Sequence, residues 1–329
     1  MKKNNFHGKK LAVVIPAYRV RREIVRVVES LQEFTDLICV VDDACPEKSG
    51  KVVEETFSPQ LVQVIYNVHN LGVGGAVKKG YEFCIKENAD VVVKIDGDGQ
   101  MDVTLIPHLI KPIFEGEADY TKGNRFFSLA SMKLMPKMRL FGNAVLSFLS
   151  KMASGYWNIA DPNNGFTAVD VRTLKALNLG KISNRYFFES DMLFQLNLLR
   201  AKVTDIPMMA RYGSETSSLS LLKASWEFPL KHLRNFVKRI FINYFVRDIS
   251  LATLHFLAGF VSFSFGLTYG LLNYMASQEL GSETKPGTLI MFAVTTLIGL
   301  QLLIVFFNSD QQNIPKRAIS GDLKHFDKN

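Results

Sequence analysis

An α/β fold, built on a mostly parallel sheet with helices on both faces and followed by a membrane-anchoring tail, is predicted by three features of the sequence. Short apolar runs alternate with stretches of helical spacing from Lys10 to Pro207, the pattern of a parallel sheet wrapped by helices. The runs are β-branched and almost continuously hydrophobic, as strands covered on both faces must be. After about Ser218 the composition shifts, first to mixed aromatics and cations, then to two long uncharged stretches.

In chain order the predicted strands are LAVVIP from Leu11, LICVVDD from Leu37, LVQVIY from Leu61, DVVVKID from Asp90, FTAVD from Phe166 and VTDIP from Val203. Apolar residues at helical spacing predict helices over Arg22–Phe34, Val73–Glu87, Asp102–Glu115 and Glu189–Arg200. Leu219–Arg247 mixes Trp226, Phe228, Phe236, Phe241, Tyr244 and Phe245 with Lys223, Lys231, Arg234, Lys238, Arg239 and Arg247. That is the make-up of helices lying in a membrane interface, and Pro229 is expected to split the segment in two. Ile249–Ser277 and Thr288–Ser309 each exceed the roughly 20 apolar residues that cross a bilayer, and read as a helical hairpin. The expected organisation is an α/β domain at 1–218, amphipathic juxtamembrane helices at 219–247, two transmembrane helices at 248–309 and a tail at 310–329.

Charge supports this layout. Lys and Arg outnumber Asp and Glu by 39 to 31, so an anionic partner is expected, and the cations cluster beside the spans. Lipid head groups account for them, which leaves nucleic-acid binding without specific support. The loop between the spans carries Glu279, Glu283 and Lys285, whereas Lys316, Arg317 and Lys324 follow the second span. The positive-inside rule then puts the α/β domain and both termini in the cytoplasm, at a bacterial inner membrane. The apolar run near the N-terminus is too short for a signal peptide and ends at Pro16. Cys39, Cys45 and Cys84 show no metal-ligand spacing and fit a reduced compartment. In the first span Ala258, Ser262, Gly266 and Gly270 form a small-residue stripe on which either the second span or another subunit, in a homo-oligomer, could pack.

The chemistry points to VVVKIDGDGQMD, where a buried strand ends in Asp96 and Asp98. Two carboxylates at the carboxyl end of a central strand face the crevice in which α/β folds bind ligands, and they repel unless a cation lies between them. A hard divalent ion, Mg2+ or Mn2+, shared with substrate phosphates answers that need. Gly72, Gly74 and Gly75 follow the third strand and read as helix packing and a tight turn, in preference to a dinucleotide fingerprint. The six histidines have no zinc spacing, and no G-x-S-x-G nucleophile motif occurs.

VVIPAYR, VVDDA, NLGVGGAVKKGY, DGDGQMD, GNRF and DPNNGF occur in the order and approximate spacing of the family 2 glycosyltransferases with the GT-A type (Rossmann-like) fold. The resemblance runs from about Leu11 to Leu219, and with the membrane hairpin it is closest in kind to the polyprenyl-phosphate (dolichol-phosphate-like) branch. It implies an inverting transfer from a UDP- or GDP-linked sugar. It further implies that Pro16, Ala17 and Tyr18 line the base and ribose pocket and that Asp43 binds the nucleobase. Asp42 shares that role or shapes the turn. Asp96 would lie near the ribose and first phosphate, Asp98 would ligate the metal, Gln100 would border the sugar and Arg125 would meet a phosphate. The family's Asn-Glu after the tyrosine is replaced here by Arg19 and Val20.

The acceptor side stays open between two chemistries. A sugar hydroxyl of a lipid-linked glycan or polysaccharide would need a general base, for which Asp191 is the first candidate, beside Glu189. A polyprenyl phosphate is already ionised and needs none, and Asp161 would then position the acceptor or the metal shell. Arg211, supported by Ser214, Thr216 and Ser217, would suit a phosphate. The Q-x-x-R-W element of processive synthases is absent. A reading of another class is a catalytically silent membrane scaffold that keeps the fold.

Overall fold

The computed structural model of the protein describes residues 8–127, 137–209 and 221–323. Its strands are β1 (Leu11–Ala17), β2 (Leu37–Asp42), β3 (Val62–Tyr66), β4 (Val91–Lys94), β5 (Tyr120–Asn124), β6 (Thr167–Asp170) and β7 (Val203–Pro207). The helices before the tail are α1 (Ile24–Leu31), α2 (Ser49–Thr56), α3 (Val73–Lys86), α4 (Ile106–Phe114), α5 (Lys137–Ser154), α6 (Val171–Ala176) and α7 (Phe188–Leu199). After them come α8 (Leu221–Phe241), α9 (Leu251–Glu279), α10 (Pro286–Gln312) and the short α11 (Ser320–Leu323).

One sheet holds the strands in the order β3-β2-β1-β4-β6-β5-β7, with β6 alone running antiparallel to its neighbours. Alternate residues of β1 serve opposite faces, as a period of two requires. Leu11, Val13, Ile15 and Ala17 join the core with Ile24, Val27 and Leu31 of α1 and Leu109 and Ile113 of α4. On the other face Val14 lies against Gly80 of α3, where a Cβ would collide with the valine. The parallel order leaves the carboxyl ends of β1, β2 and β4 side by side, and the loops that follow them form one crevice.

The six predicted strands are all present. The sequence reading missed β5, because YTKGN has neither alternation nor an apolar run, yet all five residues are buried. It also missed α2, α5 and α6.

Contacts divide the chain into two compact units, Met1–Phe236 with Pro315–Asn329, and Val237–Ile314. In the first unit, Asp119 just before β5 is fully buried and accepts the backbone N–H of Lys202 (2.7 Å), Ile319 (3.0 Å) and Ser320 (2.8 Å). The chain therefore leaves this unit, forms the hairpin and re-enters it.

Within the second unit α9 and α10 pack along their length through glycines. A Cβ on Gly266 would meet Thr295 and Thr296, one on Gly270 would meet Phe292, and one on Gly299 would meet the backbone of Phe263. Of the two partners the sequence left open for the stripe, the second span covers Gly266 and Gly270; Gly259 is buried where Ala258 is exposed. Both helices are long and apolar enough to cross a bilayer, with mean hydropathy 1.5 and 2.5. Only 22% and 11% of their most apolar windows are buried, so their outward faces present hydrocarbon to the surroundings as a core helix would not.

Pro229 does not split the preceding segment. The helix runs unbroken from Leu221 to Phe241, since one proline removes only one hydrogen bond and Phe228 and His232, on either side, dock on Phe187 at 5.4 and 4.8 Å. The break comes later, at a π-helical turn over Ile242–Arg247. Arg239, expected among the lipid-facing cations, is buried and makes a bidentate pair with Asp310 at 2.6 and 2.9 Å, to which Tyr244 adds a hydroxyl at 2.8 Å.

Gly266→Leu should push the two spans apart and cost about 1–3 kcal/mol, the usual penalty of overpacking. Thermal unfolding in detergent measures it against Ala258→Leu, which adds bulk to an exposed position and should leave the midpoint nearly unchanged.

Candidate active site

A cavity of about 510 Å³ opens where β1, β2 and β4 end. Pro16, Ala17 and Tyr18 form one wall at the end of β1, Asp43 closes the β2 side, and Asp96, Gly97 and Asp98 follow β4. Of these, Pro16, Ala17, Tyr18, Asp43, Asp96 and Asp98 are residues that the sequence predicts for the site. Asp98 accepts the N–H of Gln100 at 3.0 Å, a local bond that shapes the D-x-D turn. The Gln100 side chain is not among those lining the cavity.

Asp96 has an internal counter-ion that the sequence does not disclose. Lys94, the residue before Ile95 in the same strand, is buried with its ammonium 2.8 Å from Asp96 and 3.1 Å from Glu189. Burial alone would lower its pKa, but the two carboxylates outweigh it and raise it, so the ammonium is held charged. A charged residue in an otherwise apolar run, VVVKID, was the available signal, because a buried lysine must find counter-charges.

DPNNGF forms the back of this cluster. Asn164 donates to the Gly123 carbonyl (2.8 Å) and accepts the Phe166 N–H (3.0 Å), fixing the turn. At Gly165 a side chain would run into Lys94 and the Asp96 carboxylate. Lys122 of β5 is also buried and donates to the Asn164 carbonyl; burial pulls its pKa down to about 8, with Glu189 and Asp161 opposing. Burial likewise pushes Asp205 up to about 6.

Several predicted site residues are engaged elsewhere. Asp42 accepts the N–H groups of Cys45 and Gly50, both at 2.7 Å, and shapes the turn after β2; it does not line the cavity. Arg125 and Asp161 form a bidentate pair at 2.7 and 3.0 Å, with Asp161 buried. Glu189 faces Lys94. Asp191 accepts from the backbone (3.0 Å) and hydroxyl of Ser183 at Oδ2 and from Asn235 (2.7 Å) at Oδ1, so it joins α7 to α8. Arg211, Ser214, Thr216 and Ser217 lie outside the described residues.

Arg19, Asn70, Arg185 and Tyr186 complete the lining and were missed. Arg19 adopts a left-handed backbone (φ 59°) and its guanidinium lies over the Tyr18 ring at 5.4 Å. Arg185 and Tyr186 reach the cavity because the glycine series makes room for their segment. Gly75 donates to the Asn184 carbonyl at 2.8 Å, and side chains at Gly72 and Gly74 would strike Arg185 and the Ser183 carbonyl. Two guanidinium groups in a cavity with two carboxylates at its floor suit a diphosphate.

Among the described residues no three His, Cys, Asp or Glu side chains converge as a metal cage. Asp98 and Asp96 instead fit an ion of the Mg2+ or Mn2+ type, held by one or two carboxylates and completed by substrate phosphates and water.

The sheet order and this crevice are those of a GT-A type fold, and comparison with known proteins agrees. The profile of Glycosyl transferase family 2 matches residues 12–177, half of the chain, and the protein belongs to that family. It is 28% identical over 218 residues to the UDP-N-acetylglucosamine–dolichyl-phosphate N-acetylglucosaminyltransferase of Methanococcus voltae, covering 62% of this chain and 86% of that protein. It is 26% identical over 206 residues to the undecaprenyl-phosphate mannosyltransferase of Micrococcus luteus, covering 60% and 82%. Among solved structures, glucosyl-3-phosphoglycerate synthase of Mycobacterium tuberculosis, with Mn2+, UDP and glucosyl-3-phosphoglycerate, superposes with TM-score 0.51 at 17% identity over 70% of this chain and 80% of that one. Mannosyl-3-phosphoglycerate synthase of Rubrobacter xylanophilus gives TM-score 0.55 at 13% identity, over 74% and 77%. At such identity the structures speak for the fold alone.

Lys94→Met should leave Asp96 and Glu189 without their shared cation. A loss of about 3 kcal/mol in urea unfolding is expected, the low end for breaking a buried pair because Asp96 keeps some solvent. Lys94→Arg should recover part of it.

Proposed function

We propose that the protein is a membrane-bound inverting glycosyltransferase that moves one sugar from a UDP- or GDP-linked donor to a polyprenyl phosphate on the cytoplasmic face. The observation that carries the reading is the pair Asp96 and Asp98 at the end of β4, in the same cavity as Tyr18, Asp43, Arg19 and Arg185. The dolichyl- and undecaprenyl-phosphate acceptors named for the relatives support a lipid phosphate as the class of acceptor.

In this reading Tyr18 and Asp43 hold the base, while Arg19 and Arg185 balance the diphosphate. A bound divalent ion would be held by Asp98 and Asp96 and would neutralise charge on the departing nucleotide diphosphate. Lys94 fixes Asp96 toward the cavity. In an inverting transfer the acceptor oxygen bonds to the anomeric carbon from the side opposite the nucleotide diphosphate, which departs with the electrons of the broken bond.

A phosphate acceptor attacks without a base. A hydroxyl acceptor would need one, and Asp191, the first candidate for that task, is bonded to Ser183 and Asn235 and is not among the residues lining the cavity. This favours the lipid phosphate.

Re-entry of the chain into the first unit at Asp119, with cations following the second apolar helix, supports a reading in which both ends of the hairpin lie on the cytoplasmic side. Trp226, Leu230, Leu233, Val237 and Phe241 make an exposed stripe along one face of α8, flanked by Arg234 and Lys238, which would rest in the head-group layer.

Incubating radiolabelled nucleotide sugars with the full-length protein and membrane lipid should yield a chloroform-soluble product that disappears with EDTA. Asp98→Ala should lower its formation at least about a hundredfold while the protein stays membrane-bound. Asp191→Asn, in protein that remains folded, should retain most turnover. A catalytically silent scaffold would give no labelled lipid with any donor, and an inactive but folded Asp191→Asn would favour a hydroxyl acceptor.

A further inference from the structure

Helix α8 is amphipathic in an inverted sense. Its exposed side carries Trp226, Leu230 and Leu233, whereas the side turned into the protein carries His232 and Asn235, both buried. Apolar groups left outside while polar groups are taken inside suit surroundings that are themselves apolar, and the exposed Arg234 and Lys238 beside the stripe match anionic head groups.

The inward side of α8 meets the segment that furnishes the nucleotide cavity. Phe187 is buried against the Phe228 ring at 5.4 Å and the His232 ring at 4.8 Å, with the Lys231 ammonium 5.3 Å over its face. One turn further on, Asp191 Oδ1 accepts Asn235 Nδ2 at 2.7 Å while its Oδ2 accepts the Ser183 N–H at 3.0 Å. The segment from Ser183 to Asp191 is thereby a closed loop that α8 holds at two points. Arg185 and Tyr186, which line the cavity, directly precede the first point, and Glu189, which shares Lys94 with Asp96, lies between the two.

We infer, resting on the donor-site reading above, that seating α8 on an anionic lipid surface organises the nucleotide cavity, and that Asn235 is the positioning residue that carries the coupling through Asp191. A ligand shifts a site only through contacts that differ between two states, and the contacts available here are those of α8 with Phe187 and Asp191. With the stripe in the head-group layer both are held, and Arg185 and Tyr186 stand ready for the diphosphate. Without that support the nucleotide must order the loop itself, which weakens its binding. Linkage makes the effect mutual, so the nucleotide draws α8 onto the lipid by the same factor.

Titrating UDP or GDP, at saturating Mn2+, into the full-length protein in nanodiscs of phosphatidylglycerol or of phosphatidylcholine tests this. The nucleotide that binds better should bind about fivefold or more tightly in phosphatidylglycerol. An anionic surface by itself repels nucleotide, so its field works against this result. Leu230→Gln/Leu233→Gln, which alters exposed positions only, should lower the affinity in phosphatidylglycerol to that in phosphatidylcholine. In folded Asn235→Ala the two affinities should become equal while Trp226, read in a Trp157→Phe background, is still quenched by brominated lipid. Asn235→Gln should restore part of the difference. A merely structural Asn235 would lower both affinities alike, and an unchanged ratio overturns its positioning role. Equal affinities of the unaltered protein in the two lipids, or a double-leucine variant that binds as the unaltered protein does, overturn the coupling and leave the transferase reading intact. Failure of both nucleotides to bind in either lipid sinks both.

Discussion

The ammonium of Lys94 lies between Asp96 and Glu189, and the architecture around the cavity depends on it. An isolated buried ammonium or carboxylate is too costly to keep charged, whereas a buried lysine with two close carboxylates can remain so. The arrangement ties the end of β4, which carries the D-x-D acids, to α7. The segment just before α7 supplies Arg185 and Tyr186 to the cavity. Through Lys94 the acids that would meet the metal and the residues that would meet the nucleotide share one anchor.

Small residues make that anchor possible. Gly165 lets the DPNNGF turn close on Lys94 and Asp96, and Gly74 and Gly75 let the 183–188 segment lie on the start of α3. In the apolar helix pair Gly266, Gly270 and Gly299 do the same between α9 and α10. In each place the missing Cβ sets how near two backbones come. Between apolar helices in lipid, which is as apolar as the side chains, close packing is the main attraction available.

Polar residues whose chemistry looks catalytic in the sequence divide into two groups in space. Asp43, Asp96 and Asp98 face the cavity. Asp42, Asp119, Asp161 and Asp191 turn inward and are consumed by backbone N–H groups, Arg125, Ser183 and Asn235. Both groups occur at ends of strands and helices, so sequence position does not separate them. The separation rests on which donors lie within hydrogen-bond reach, a long-range matter for pairs such as Asp119 with Ser320 or Asp191 with Asn235.

The sequence alone determined the α/β class, six of the strands, the two apolar spans and the acids following β2 and β4, because hydrophobic periodicity and strand-end placement are local properties of the chain. It did not disclose β5, whose burial depends on neighbours from distant parts of the chain, nor the continuity of α8 through Pro229, which docking on Phe187 supports. Tertiary structure alone decided that Lys94 is the counter-ion of Asp96, that Asp191 bonds Ser183 and Asn235, and that Asp43 accepts from Asn67, Leu71 and Gly72. Each of these depends on a partner brought close by the fold, and the strength of a charge or hydrogen bond is fixed by that proximity and by the exclusion of water around it.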